Sequence, residues 1–429
     1  MIWYHILVSV SETMKKKSKL KHRRKRRISI RELNIDFDDI WEPIYLVLLA
    51  TFVGMRFLLS TMFTIYWPEY FYRTLLVIGI TLVMLHLMTV KDMQKKEIVA
   101  MAIVTFVFLM SHYVSGYDFL VDLLILILGA YRVDFEKILK TYMAVWLVLM
   151  AITIVGALTG AAENLVYHQG ENGERTRMAL GICYPTDFAA YVAYMMFVFV
   201  CLRDKYITYI EIGAMAVLAG VVYWITDART DFMVMALLIV LVLFAKRKYN
   251  IIRLALKSRT IMKSIIFIPL AVSAVPWILT CLYNQKNVLW QKIDAMLSSR
   301  LYLGNIAVNN YRLTFFGQYI QESGFGGSLD WPDNYFFIDC SYISIGLKYG
   351  LVFLMLILIL EIFIIVRALK KKQMFLVVVI YTIIIHSMME HHYIQYWYNP
   401  FLLGLFCYNK IDKRIEKNFL KNKTIIDLN

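Results

Sequence analysis

The residues best suited to chemistry lie in a few short polar stretches of an otherwise apolar chain. In "TDARTD", Asp227, Arg229 and Asp231 separate two long apolar runs; "ERTRMALG" supplies Arg175 and Arg177, and "SSRLYLGN" supplies Arg300. A guanidinium offers a planar fork of N–H donors and keeps its proton, so these residues suit phosphate or carboxylate oxygens. Further along, "HSMMEHHY" sets His386 and Glu390 four residues apart on one helix face, where they can pair as a base and its orienter. His391, His392, Asp333 and Asp339 are the other candidate bases. Each group also has a plainer reading. Arg229 can pair with Asp227 and Asp231 or reach lipid headgroups. The His/Glu stretch can be an interfacial polar cluster anchored by Tyr393, Trp397 and Tyr398. Its spacing matches no known zinc motif, so neither a metal nor a cofactor is expected.

The elements that position these residues follow from composition. Of the 429 residues 60% are hydrophobic and 18% charged, far too apolar for a soluble chain. The expected fold is all-α, a polytopic membrane protein of about twelve transmembrane helices with one large extracytoplasmic loop. Hydropathy places the spans at 44–63, 72–90, 98–114, 118–131, 141–160, 184–202, 207–226, 230–245, 261–283, 339–366, 374–390 and 394–408. Three regions result: a basic N-terminal tail at 1–43, a membrane domain at 44–408 containing the outward loop 284–338, and a C-terminal tail at 409–429. Within the loop, Leu301, Ile306, Leu313 and Phe316 suit a helix lying on the outer surface.

Charge sets the orientation. With the N-terminus inside, the inward segments hold 36 of the 46 Lys and Arg residues, which places both termini in the cytoplasm. The opening "MIWYHILVSV" has its positive charges after the apolar run and is not read as a signal peptide. "KKKSKLKHRRKRR" is read as a solvated cytoplasmic tail rather than a nucleic-acid site. Lys nearly vanishes from the outward face while Arg73, Arg175, Arg177, Arg229, Arg300 and Arg312 persist, against the bias. Arg56, Asp122 and Glu361 are the strong charges within spans. Five cysteines without CxxC spacing argue against a zinc or redox framework, although Cys281 and Cys340, at the feet of the large loop, are a candidate pair.

The order of the outward segments resembles that of the Wzy-type polysaccharide polymerases and the related O-antigen ligases, a superfamily that includes peptidoglycan polymerases of the RodA type. The resemblance runs from about Arg177 to Leu403. "RMALGICYPTDFAAY" is similar to the family's Arg-x-x-x-Gly-Phe-x-x-Pro-Asn, with Ile182 at the aromatic and Thr186-Asp187 near the Asn. "DARTDF" resembles its Ser-Arg-Thr/Gly step. "SSRLYLGNIAV" resembles Ser-Gly-Arg-x-x-x-Trp, with Gly304 near the aromatic position. "DNYFFIDCSYISIGLKYG" looks like Asp-Asn-x-Tyr with a following Leu-x-x-x-Gly.

This resemblance implies an enzyme of the bacterial inner membrane, acting outside the cytoplasm. It would transfer a glycan from one undecaprenyl-pyrophosphate carrier to the sugar of another and so build capsular or exopolysaccharide. Arg177, Arg229 and Arg300 would bind the pyrophosphate with Arg175 in support, and His386, Glu390 or Asp339 would handle the acceptor proton in an inverting, metal-independent displacement. Aromatic faces stack on sugars and amides bond their hydroxyls, so Trp331, Asp333, Asn334, Tyr335 and Tyr302 are the candidate glycan contacts. The expected partners are the lipid-linked oligosaccharide, membrane lipid, a chain-length regulator and a flippase, with no nucleic acid. The rival enzyme reading is a ligase moving a finished glycan to a wall or lipid acceptor. The non-enzyme rival is a flippase, which would favour midplane charges and repeated halves.

Overall fold

Each long apolar run forms a helix whose ends are set by local capping. The computed structural model describes residues 37–407 apart from 66–67, 91, 170–174, 249–257, 325 and 331–332. The chain divides into two units, Met1–Trp41 and Glu42–Asn429. Residues 1–36 of the expected basic tail, and all of the 409–429 tail, lie outside the described residues. In chain order the helices are α1 (Phe37–Leu59), α2 (Glu69–Thr89), α3 (Lys95–Ser115), the short α4 (Phe119–Gly129), α5 (Phe135–Thr159), α6 (Pro185–Arg203), α7 (Tyr209–Thr226), α8 (Arg229–Arg247), α9 (Arg259–Leu282), α10 (Val288–Met296), α11 (Arg300–Asn310), the short α12 (Ser341–Lys348), α13 (Leu351–Lys370) and α14 (Met374–His386). A two-stranded antiparallel hairpin, β1 (Val166–Gln169) and β2 (Arg175–Met178), joins α5 to α6. The protein is a mostly helical membrane protein.

Capping explains several boundaries. Gln94 and Glu97 form a capping box at the start of α3, and Thr208 and Glu211 form another at α7. Asp134 accepts from the Glu136 N–H to start α5, and Gly116 and Gly160 end α3 and α5 in left-handed backbone.

The helix count departs from the twelve spans expected. Among the described residues eight helices are long and apolar enough to cross a membrane, namely α1, α2, α3, α5, α6, α7, α9 and α13. The expected spans 118–131 and 374–390 hold helices of 11 and 13 residues. The expected span 339–366 is broken between α12 and α13. There Gly350 has φ +96°, and a Cβ on it would stand 2.3 Å from the Phe315 carbonyl oxygen. Gly317, at φ +94°, faces the same break, where a Cβ would lie 2.1 Å from the Lys348 oxygen. The loop 314–318 therefore threads against the broken backbone, and Leu351 N–H and Val352 N–H donate to the Thr314 and Phe315 carbonyls.

The expected span 394–408 is not a membrane-length helix. Residues 387–407 run as an irregular ribbon with one 3-10 turn, Phe401–Leu405. Asn399 and Pro400 interrupt helix formation: the Asn399 carboxamide donates to the Tyr393 carbonyl and accepts from the Phe401 N–H, and Pro400 has no N–H. The ribbon nonetheless passes from one end of the bundle to the other. Its start lies beside His386 at the end of α14, whereas its finish lies beside Arg367, near the end of α13, which donates to the Gly404, Leu405 and Cys407 carbonyls. Non-helical backbone survives at this depth because protein groups satisfy it. Tyr142 and Trp146 of α5 donate to the Tyr396 and Trp397 carbonyls, and the Arg132 N–H donates to the Phe406 carbonyl.

Helix α8 packs on α6, α7 and α14. In lipid, packing and polar contacts rather than water exclusion hold helices together. One such contact joins α1, α2, α4 and the ribbon: Arg56 lies 2.6 Å from Asp122, whose carboxylate also accepts from Tyr72 and Tyr396 at 2.7 and 3.0 Å. The charges at Arg56 and Asp122 are thus mutually satisfied. Glu361 of α13 instead faces a small cavity lined by Tyr393 and Asn399.

Within the large loop, α11 ends at Asn310, short of Leu313. It buries Leu301, Leu303 and Ala307, packing on α9 and α12 rather than lying free on a surface. Cys281 is exposed and Cys340 buried, and both are free thiols, so the candidate pair is not formed.

Candidate functional site

The site is built at the end of the bundle where α14 stops and the ribbon begins. Three connections bring polar residues there, and each passes through left-handed backbone at a residue with a side chain: Leu180 (φ +48°) after β2, Asp227 (φ +44°) between α7 and α8, and Ser298 and Ser299 (φ +56° and +63°) before α11. Such conformations cost roughly 1–2 kcal/mol each and collect at functional sites. Ser299 delivers Arg300 as the first residue of α11. Asp294 of α10 holds that turn by accepting from the Leu301 and Tyr302 N–H groups at 2.9 and 3.1 Å.

Arg300 is 14% exposed. One terminal nitrogen donates to Glu390 Oε1 at 2.6 Å, the other to Thr230 Oγ1 at 3.3 Å, and Nε faces Asp339 Oδ2 at 3.8 Å without a hydrogen bond. Glu390 is almost fully buried. Burial pushes its carboxyl well above the ordinary range, Asp231, Asp339 and Asp187 push the same way, and Arg300 opposes them. Asp339 is likewise raised by burial against the pull of Arg300. His386 does not pair with Glu390. Its Nε2 lies 3.1 Å from Asp231 Oδ1, with both residues buried, while His386 Nδ1 has no hydrogen-bond partner among the described residues. The two side chains of the HxxxE spacing part company because other elements bring each a partner, Asp231 of α8 for His386 and Arg300 of α11 for Glu390.

His391 and His392 complete the cluster. Their rings are 4.2 Å apart; His392 Nδ1 meets Gln395 Oε1 at 3.1 Å, and His392 Nε2 faces Asp187 Oδ1 at 3.8 Å. Burial, reinforced by nearby Lys348 and Arg300, drives His391 down to about 3, and burial with His391 alongside lowers His392. Two overlapping sets, Asp187/His391/His392 and Asp339/Glu390/His391, bring their ligand atoms within 4.8 Å of one another and could hold a metal ion.

The other arginines gather on the connection between α7 and α8. Arg175 pairs with Asp227, Arg177 Nε donates to the Thr226 carbonyl at 2.9 Å, and Arg229 lies 3.8 Å from Asp227 with its side chain 57% exposed. With Arg300 on Thr230, all four arginines touch residues 226–230. Tyr184 receives the Arg177 guanidinium over its ring at 5.4 Å. Tyr184 and Tyr335 pack on the small core of Leu165, Tyr167 and Ala179, and Tyr335 also feels the charges of Asp339 and Arg300.

Of the glycan candidates, Tyr335 therefore stands beside the cluster. Asp333 and Asn334 are exposed on the preceding turn, Tyr302 sets its ring 6.5 Å from Tyr283, and Trp331 lies outside the described residues. Sequence reasoning left Asp187 and Asp231 without roles here. Asp231 was paired with its neighbour Arg229, and only the packing of α8 on α14 turns it to His386. The cluster reaches the protein surface through Asp187 and Asp339, 22% and 20% exposed. It can bind an anion at Arg300 and exchange a proton at a carboxylate or imidazole alongside. Comparison with family models, curated proteins and solved structures found no match for the chain.

Proposed function

We propose that the protein transfers a glycan between undecaprenyl-diphosphate carriers, extending a polysaccharide at the outer leaflet of a bacterial inner membrane with both termini cytoplasmic. The observation that carries the reading is Arg300: a nearly buried guanidinium, held at a helix start by two carboxylates, beside a connection to which Arg175, Arg177 and Arg229 also attach. The reaction needs a fixed positive charge where a diphosphate departs, in a place no nucleotide reaches. The carrier diphosphate displaces Glu390 from one arm of the Arg300 fork, with the exposed Arg229 meeting it first.

The acceptor hydroxyl attacks the anomeric carbon as the bond from that carbon to the phosphate oxygen breaks. The carrier leaves as a diphosphate, and the hydroxyl proton passes to Asp339, which combines an outward edge with a position 3.8 Å from Arg300. Glu390 orients Arg300 between turnovers, and His386, fixed by Asp231, positions the ribbon at Glu390. Tyr335, Asp333 and Asn334 flank the path of the sugars.

The test is incubation of purified protein with lipid-linked repeat units. Wild type yields a ladder; Arg300→Met lowers the rate by roughly 100- to 1,000-fold, and Arg229→Ala also loses polymer, while both insert normally. Normal chain length in both variants would refute the mechanism. A deletion strain that accumulates long chains instead of single units would move the reaction to a ligase, and absence of any polymer from active wild-type preparations would favour a flippase.

A further inference from the structure

We infer that the cluster binds one divalent transition-metal cation of the Mn²⁺ or Zn²⁺ type, held by His391, His392 and Asp187, with Asp339 and Glu390 closing the other side. The inference does not depend on glycosyl transfer.

Three observations carry it. First, His391 belongs to both potential ligand sets, so four residues surround its imidazole, with ligand atoms of each set within 4.8 Å of one another. Second, the imidazoles have unused nitrogens: among the described residues His392, 1% exposed, has no hydrogen-bond partner at Nε2, and His391 has none at Nδ1. An orphaned buried nitrogen is costly. The His392 Nε2 to Asp187 Oδ1 distance of 3.8 Å is too long for a hydrogen bond. Two ligands about 2.1 Å from a shared ion at tetrahedral or octahedral angles stand roughly 3.0–3.5 Å apart, so this pair is wider by roughly 0.3–0.8 Å than an ion would hold it, and the remaining ligand atoms, within 4.8 Å, must also draw in.

Third, the site is crowded with carboxyl groups. Asp187, Asp231, Asp339 and Glu390 act on one another electrostatically, against the single guanidinium of Arg300. The nearby Lys348 is committed to Glu322. Four carboxyl groups thus face one guanidinium, a donor set that a divalent cation suits.

Two imidazoles with carboxylates favour Mn²⁺ or Zn²⁺ over Mg²⁺ and Ca²⁺, which prefer all-oxygen sets. The ligands come from the first turn of α6, the 333–340 loop and the ribbon. No sequence spacing announces them for that reason.

The test uses tag-free, full-length protein in detergent, stripped with EDTA and titrated calorimetrically with MnCl₂, ZnCl₂, MgCl₂ and CaCl₂, with Co²⁺ absorption as a spectroscopic probe. One equivalent of Mn²⁺ or Zn²⁺ is expected to bind at about 1 μM or tighter, with Mg²⁺ and Ca²⁺ at least roughly 100-fold weaker. His392→Gln, and independently Asp187→Asn, should weaken binding by roughly 100-fold. Wild-type protein that is monodisperse yet shows no saturable binding up to about 1 mM overturns the inference. So does equal affinity for all four ions, or unchanged affinity in folded His391→Gln/His392→Gln. These readouts need no activity, so they fail or succeed independently of the proposed reaction.

Discussion

Replacing Arg300 by methionine keeps an unbranched apolar stem and deletes the charge that opposes burial at Glu390. A carboxylate left alone in that position does not stay ionised; it takes a proton. The cost of deletion is therefore capped by the free energy of protonating a carboxyl whose unfolded-state pKa is about 4.3, at 1.36 kcal/mol per unit. At pH 7 the cap is about 4 kcal/mol, and at pH 5 about 1 kcal/mol. The sign follows from proton counting. Burial already raises this carboxyl in wild type against Arg300; without Arg300 it rises further, so the variant's folded state keeps the proton to higher pH than wild type does, and its stability falls from about pH 4.3 up to that raised value. The assay is reversible unfolding in detergent between pH 5 and 8, with EDTA present, comparing wild type, Arg300→Met, Glu390→Gln and the double variant. Arg300→Met should lose stability progressively over this window, whereas the double variant, which has no carboxyl at 390, should lack that extra slope. A pH-independent loss in Arg300→Met, or the same slope in the double variant, would refute the charge-pair account.

Three further outcomes are expected. Asp294→Ala removes the carboxylate that receives the Leu301 and Tyr302 N–H groups; it should cost about 1–2 kcal/mol by unfolding and, in the polymer assay, lower turnover because Arg300 loses its anchored turn. Gly350→Ala meets both a positive φ and the Phe315 carbonyl, so it should destabilise by more than about 2 kcal/mol and be visible as a lowered melting temperature. Asp122→Asn leaves Arg56 without its ionic partner and should cost about 3 kcal/mol, less than a fully buried pair because Arg56 keeps some exposure; a variant as stable as wild type would show that Tyr72 and Tyr396 alone satisfy that guanidinium.

What the sequence determined by itself is the membrane class and most helix positions. Both rest on local quantities: run length against bilayer thickness, and the absence of charge within runs. The polar stretches at 175–177, 227–231, 300 and 386–392 were also legible, since few other residues interrupt the apolar background. Hydropathy could not tell helix from ribbon at 387–407, because both are equally apolar; the difference lies in whether Tyr142, Trp146, Arg132 and Arg367 meet the freed backbone. It also missed the break at Gly350, which exists because a distant loop approaches too closely for a side chain. Pairing was decided only in three dimensions. The four-residue spacing of His386 and Glu390 suggested a couple, yet Asp231 and Arg300, arriving 155 and 90 residues away in sequence, offer each a stronger partner. Charge partners are chosen by tertiary proximity at low dielectric, and a linear pattern carries no record of that.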